Sequence, residues 1–124
     1  MRVKNITIRI KSLEDILGEA KDVMKKLARG KKAQKHEGIS FDSLEDLRKM
    51  LTEERLRMLR TIRKEHPESI YALAKILGRD KKNTFDDVRF LAEMGLVELK
   101  KIQEGREKTT PSVSYERILL EIPV

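Results

Sequence analysis

Lys81, Lys82 and Asn83 stand together directly after an acidic residue and ahead of an apolar pattern with helical spacing. At the start of a helix, ammonium and amide groups combine with the positive end of the helix dipole to favour an anion. The alternative is that two lysines beside Asp80 form a solvated turn. We expect these three side chains to contact phosphates or base edges.

Four more polar residues suit the same chemistry. Ser69 can offer its hydroxyl and backbone N–H to a phosphate, or act only as a helix N-cap. Arg89 lies further along the segment that begins at Lys81, where it contacts an anion or pairs with neighbouring carboxylates. Arg106 and Lys108 fall in a turn-rich stretch, where a phosphate contact and a solvated tip are equally good interpretations.

A second basic run lies between residues 25 and 36. Lys31, Lys32 and Lys35 in this run are candidates for an additional phosphate contact. Charge runs more often form solvated faces, and that interpretation stays open here.

The residues exclude most enzyme classes. The chain has no cysteine and only two histidines, His36 and His66, so thiol chemistry and Cys- or His-rich metal sites are not expected. The adjacent carboxylates of the pairs 53–54 and 86–87 diverge on a helix, and the glycines are scattered singly. We therefore predict a protein that is not an enzyme and has neither a metal nor a cofactor.

Composition points to an anionic partner. The chain has 124 residues, 40% of them charged, and a net charge of +7, which favours nucleic acid first and a membrane surface second. Residues 1–38 carry a net charge of +6, residues 39–95 carry +1, and residues 96–124 are neutral. No apolar run is long enough to span a membrane and no signal peptide opens the chain, so we expect a cytoplasmic protein.

The N-terminal elements are a strand and a helix. Ile6, Ile8 and Ile10 alternate with polar residues, which predicts a half-buried strand. An apolar stripe at helical spacing follows and ends at Gly30. The short apolar stretch 39–41 is expected to form an edge strand beside the first, and residues 44–51 a short helix.

Three helices and a hairpin are predicted next. Thr52 and Ser69 cap the first two helices, Gly78 closes the second, and the third covers about residues 81–94. The third helix should bury Thr84, Val88 and Leu91. After Gly95 the apolar period changes to two, which predicts a strand at 96–99, a turn-rich tip at 103–111 and a returning strand at 115–124.

This order is typical of a winged helix-turn-helix. We predict an α+β chain with an N-terminal strand-helix extension at residues 1–38 and a winged helix-turn-helix at residues 39–124. The extension offers apolar positions either for dimerisation or for covering the hairpin of the same chain. The candidate dimerisation residues are Ile6, Ile8, Ile16, Leu17 and Val23.

Nearly the whole chain resembles a family of small archaeal and bacterial transcriptional regulators of the MarR-like winged-helix type. The resemblance is carried by F-D-S-L-E-D-L-R-K-M-L-T-E-E-R-L at 41–56, L-G-R-D-K-K-N at 77–83 and Y-E-R-I-L-L-E-I-P at 115–123. It implies sequence-specific binding of double-stranded DNA as a homodimer, with the third helix in the major groove. The wing, at about residues 100–112, would then lie on the backbone or minor groove.

The third helix departs from that family in its charge. Phe85 and Asp86 stand where the family tends to have a polar or basic pair, and Asp87 follows. Residues 80–95 hold three basic and four acidic side chains, and carboxylates facing phosphates are repelled, although they can accept from a cytosine amino group. Phe85 and Asp86 are also candidate DNA contacts. For Tyr71 we prefer packing in the core or against a partner, and the same packing is an alternative role for Phe85. A winged-helix module that binds a protein within a larger assembly is therefore the alternative function.

Overall fold

The computed structural model describes residues 4–11, 13–30 and 38–124, except for the side chains of residues 13, 104, 106 and 107. Helices and strands account for most of these residues. In chain order they are β1 (Asn5–Ile10), α1 (Leu13–Ala28), β2 (Ile39–Phe41), α2 (Leu44–Met50), α3 (Glu53–Glu65), α4 (Ile70–Leu77), α5 (Lys81–Glu93), β3 (Glu98–Glu104), β4 (Arg106–Ser112) and β5 (Arg117–Glu121).

The chain forms two compact units. The first contains Met1–Met50 together with Arg117–Val124, and the second contains Leu51–Glu116. Division at residue 38 was expected from the sequence. The division falls elsewhere because β2 and β5 both pair with β1, which draws residues from both sides of the helical region into the first unit.

The sheet of the first unit has the order β2-β1-β5 and is parallel throughout. The expected pairing of residues 39–41 with the first strand is confirmed, with Ile8 opposite Ile39. The expectation that residues 115–124 return along the hairpin is wrong, because Ile118 and Leu120 pair with Ile6 and Ile8 instead. This register gathers the β-branched and leucine side chains of three strands on one face, which hydrophobic burial favours.

Three helices and a hairpin form the second unit. Thr52 and Ser69 accept hydrogen bonds from the backbone N–H groups of Arg55 and Ala72, so both predicted N-caps are confirmed. Gly78 closes α4 in the left-handed conformation, with φ of 66°, where a side chain would be strained. The core is apolar and centres on Met58, Leu59, Ile62, Leu73, Leu77, Val88, Leu91 and Leu96.

The hairpin is longer and tighter than predicted. β3 and β4 pair antiparallel from Glu98↔Ser112 to Glu104↔Arg106, and Gly105 alone turns the chain, with φ of 78°. The expected tip at 103–111 is therefore mostly strand. Glycine, proline and polar residues suggested a loop there, but the β-branched Thr109 and Thr110 extend the ladder.

The second unit is thus a winged helix-turn-helix, and the chain is α+β as predicted. The Tyr115 hydroxyl holds the chain after β4 in place by donating to the Leu96 carbonyl at 2.9 Å. Within the described residues, the helices are too short or too polar to cross a membrane.

Candidate nucleic-acid interface

Helix α5 divides its side chains between the core and solvent. Thr84, Val88 and Leu91 are buried as predicted, and the Thr84 hydroxyl donates to the Asp80 carbonyl at 2.8 Å. The opposite face is exposed and polar apart from one aromatic ring. It carries Lys81, Lys82, Phe85, Asp86 and Arg89.

The first turn of α5 is already capped. The Asp80 carboxylate accepts from the backbone N–H groups of Lys82 and Asn83, at 3.1 Å and 3.3 Å. These N–H groups are consequently not free to bind a phosphate. Any anion held here must be bound by the Lys81 and Lys82 ammonium groups and the Asn83 amide, all of which belong to exposed residues.

Asp87 lies inside an ion-pair cluster and not on the exposed face. Its carboxylate pairs with Arg79 at 2.9 Å and with Arg55 at 3.4 Å, and its side chain is only 20% exposed. Arg79 also lies 3.7 Å from Glu54, and Arg55 stacks over the Phe90 ring at 4.2 Å. This cluster joins α3, the turn after α4, and α5.

These contacts change the charge that α5 presents. Of the four carboxylates in residues 80–95, Asp80 caps the helix and Asp87 neutralises arginines within the fold. Glu93 pairs with Arg89 at 3.7 Å across one turn. With Asp87 turned inward the exposed face is not acidic, and Lys81 and Lys82 lie at its N-terminal end, where helix-turn-helix proteins contact DNA.

Ser69 begins α4 beside this face. Its hydroxyl oxygen accepts from the Ala72 N–H at 3.0 Å, so it is an N-cap. The hydroxyl proton is not used in that bond, and it can still be donated to an anion.

Tyr71 lies between two ammonium groups. Lys81 Nζ is 3.7 Å and Lys75 Nζ is 4.8 Å from the ring centroid. The pKa of the Tyr71 phenol is lowered from 10.0, first by a hydrogen bond from Lys81 and then by the charges of both lysines. Tyr71 is 47% and Phe85 44% exposed, so neither side chain lies in the core.

A groove of about 580 Å³ joins these residues to the hairpin. The Thr110 hydroxyl donates to the Glu68 carbonyl at 2.7 Å, which anchors β4 to the turn before α4. Lys108 Nζ lies 3.8 Å from the Glu68 carboxylate at the edge of the groove. Two lysines, two aromatic residues and one carboxylate belong to the lining, which consists of Glu68, Ser69, Ile70, Tyr71, Lys81, Phe85, Lys108 and Thr109.

Four of the predicted site residues, Ser69, Lys81, Phe85 and Lys108, line this groove, whereas the contact between Tyr71 and Lys75 beside it is not among the predictions. The spacing of four residues within a helix signals their contact. The approach of Lys81 depends on the turn between α4 and α5, which no local spacing reveals.

The other predicted phosphate contacts and the predicted dimerisation residues differ in where they lie. Lys31, Lys32 and Lys35 lie outside the described residues, and so does the Arg106 side chain. Among the candidate dimerisation residues, Ile8 is fully buried in its own chain and cannot form a surface for a second copy. Ile6 and Val23 are half-buried, whereas Ile16 and Leu17 are exposed.

Metal binding has no support in the described part of the chain, where His, Asp and Glu side chains form no group able to hold an ion.

Comparison with known proteins gives one family. Residues 50–120 match the HVO_A0114 family over more than half of the chain, and the chain therefore belongs to that family. No curated protein matches it.

A solved structure described as that of the transcriptional regulator homologue protein from Pyrococcus horikoshii OT3 is similar to this chain. The two share 19% identity with a TM-score of 0.45. The similarity covers 57% of this chain and 77% of the other.

Proposed function

We propose that this member of the HVO_A0114 family is a transcriptional regulator of the MarR-like type that binds double-stranded DNA sequence-specifically as a homodimer. The observation that carries the proposal is the basic groove at the N-terminal ends of α4 and α5. Ser69, Lys81, Phe85 and Lys108 line it together, although they come from three different elements. A helix-turn-helix presents these positions to the phosphates and base edges of a major groove.

The candidate residues divide into those that would provide affinity for DNA and those that would recognise its bases. Lys81, Lys82 and Lys108 suit phosphates, because each ends in an ammonium group on an exposed residue. Asn83 and Arg89 offer the amide and guanidinium groups that recognise adenine and guanine edges. Asp86 is the matching acceptor for a cytosine amino group.

Phe85 gives the groove an apolar contact. Its ring is 44% exposed beside Asp86 on the outer face of α5. In a major groove an aromatic ring at this position packs on a thymine methyl group. A homodimer would set two such helices about 34 Å apart on a pseudo-palindromic site.

Replacement of Lys82 tests the proposed contact surface. We expect Lys82→Ala to weaken binding to all duplexes and to reduce the slope of log affinity against log salt by about one, because one phosphate contact releases about one counterion. Adding Asn83→Ala should weaken binding further and relax the preference for the specific site. Fluorescence anisotropy over a salt series measures both effects.

Lys64→Ala is the matched control for Lys82→Ala. Lys64 is an exposed lysine on α3, outside the exposed face of α5 that carries Lys82. The Lys64→Ala substitution removes the same charge from a position outside the proposed contact surface, so DNA binding should stay close to wild type. Equal losses in the Lys64 and Lys82 variants would reduce the interaction to net charge and contradict the proposed surface.

A protein partner is the second candidate, and the exposed Tyr71 and Phe85 favour it. Aromatic side chains at the centre of an exposed surface are common anchors for protein partners. The variant that combines Lys82→Ala and Asn83→Ala distinguishes the two functions. It should lose DNA affinity under the first and retain partners that co-purify from the native host under the second.

A further inference from the structure

Strand β5 (Arg117–Glu121) forms an open edge of the sheet in the first unit. The sheet has the order β2-β1-β5, so β5 pairs with β1 on one side, and within the described residues no strand pairs with its other side. Most of its residues are exposed, Leu119 by 44% and Leu120 by 46%. Such an edge presents a row of backbone N–H and C=O groups to which another strand can add.

The other sheet edges carry features that hinder the addition of a strand. β2 has only three residues. β4 contains Pro111, which has no N–H to donate, and β3 carries the adjacent lysines Lys100 and Lys101. Short length, proline and lysine are common means by which proteins keep an edge from pairing. β5 has neither a proline nor a lysine, since Pro123 comes only after its last residue.

The sequence of β5 is complementary to itself in antiparallel orientation. In R-I-L-L-E, pairing about a two-fold axis at Leu119 places Arg117 opposite Glu121 of the second copy, at both ends of the strand. The same register places Ile118 opposite Leu120 of the second copy. Opposite charges and apolar side chains directly across two strands stabilise the pair. A parallel pairing in register would instead place each charge beside its own kind, which is destabilising.

The charged groups lie on the strand that would be covered. Arg117 and Glu121 belong to β5 itself and are both exposed. Glu121 Oε2 accepts from Arg9 Nε at 3.2 Å, and the Glu121 side chain remains 65% exposed. A carboxylate has about four acceptor positions on its two oxygens. Glu121 can therefore accept from a second guanidinium group without giving up Arg9.

We propose that β5 pairs antiparallel with β5 of a second copy of this chain, which joins two three-stranded sheets into one continuous sheet. The two-fold axis passes close to Leu119, and each contact away from the axis occurs twice. Leu119 and Leu120 of both copies lose exposed apolar surface in this pairing, which the hydrophobic effect favours. The inference rests on the homodimer of the proposed function and specifies its interface.

Charge reversal at the two ends of β5 tests the orientation. Arg117→Glu and Glu121→Arg should each raise the dimer dissociation constant by about tenfold, measured by sedimentation equilibrium, because like charges then meet at both ends. The double variant, and an equimolar mixture of the two single variants, should recover the dimer, since opposite charges face each other again. Arg9→Gln is the control for loss of the ion pair with Glu121 and should leave the dimer intact.

A single cysteine tests the position of the axis. The chain has no cysteine of its own, so Leu119→Cys places one thiol opposite its copy. The Cα atoms of residues opposite each other in antiparallel strands are about 4.5–5.5 Å apart, which a disulfide can bridge. Oxidation with diamide should give a covalent dimer on a non-reducing gel. Leu99→Cys, at a leucine that is 40% exposed on β3, is the matched control and should remain a monomer there. Circular dichroism checks that every variant is folded.

The β5 pairing and the proposed function fail on different results. A wild-type dimer that neither charge reversal weakens, or equal cross-linking of the two cysteine variants, overturns the β5 pairing and leaves the proposed function in place. A wild-type chain that is monomeric at every concentration overturns the pairing and removes the homodimer from the proposed function. Fluorescence anisotropy on the covalent Leu119→Cys dimer tests DNA binding alone. Equal affinity for upstream and scrambled duplexes would contradict sequence-specific binding and leave the β5 pairing in place.

Discussion

Tyr115 shows how a single side chain fixes the segment that follows the hairpin. Its hydroxyl donates to the Leu96 carbonyl, and burial raises the pKa of the phenol to about 12. Since the ordinary value is 10.0, the unfolded chain loses this proton at lower pH than the folded chain. The stabilisation is therefore complete below pH 10 and is lost as the pH rises from 10 to 12.

We expect Tyr115→Phe to lower the free energy of unfolding by about 1 kcal/mol at neutral pH, because one hydrogen bond is lost. Between pH 10 and 12 the variant should lose less stability than wild type, since it has no phenol to titrate. Urea unfolding at a series of pH values measures both effects. Parallel stability curves for the two proteins across that range would contradict the assigned role of the hydroxyl.

At the scale of the element, α5 shows that adjacent carboxylates can have different roles. Asp87 pairs with Arg55 and Arg79, whereas Asp86 lies on the exposed face, and its carboxylate makes no hydrogen bond or ion pair within the described residues. Asp87→Asn should lower the free energy of unfolding by about 2 kcal/mol, because charge-assisted hydrogen bonds are lost to two guanidinium groups. Thermal or urea denaturation measures the change.

Asp86→Asn is the control for Asp87→Asn. It removes the same charge one residue away, and its effect on stability should stay within about 0.5 kcal/mol. It should instead strengthen binding to non-specific duplexes at low salt, because one repulsive charge leaves the proposed surface. Equal destabilisation by both substitutions would show that the ion-pair cluster contributes nothing specific.

The sequence predicts the helices well because each carries its own start, stripe and stop. Thr52, Ser69, Gly78 and Gly95 mark the boundaries by local chemistry alone. The pairing of strands is harder to predict, since the alternation of apolar and polar residues identifies a strand but not the strand beside it. Ile118 and Leu120 suited a hairpin as well as they suit β1, and only the whole fold decides between the two.

The same limit applies to the interface. A count of residues 80–95 predicts a slightly acidic helix, because it cannot tell which carboxylates face inward. The N-cap role of Asp80 follows from its position directly before the helix. The ion pair between Asp87 and Arg55 joins residues 32 positions apart and has no local signal.

At the scale of the whole molecule, the charge is divided along the chain. Residues 1–38 carry most of the excess, at +6, while the helical region carries +1. The groove on α4 and α5 nevertheless has Lys81 and Lys108 in its lining, and Lys75 lies beside it over the Tyr71 ring. The proposed DNA binding therefore requires few net charges on the helical region, provided that those present face the same side.

The central claim is that this surface reads DNA sequence. Fluorescence anisotropy at physiological salt should compare a duplex from the region upstream of the coding sequence with a scrambled duplex of equal length and composition. We predict that the upstream duplex binds about 10³-fold more tightly or better, as specific sites do relative to non-specific DNA. Equal affinity for the two duplexes would contradict sequence-specific regulation.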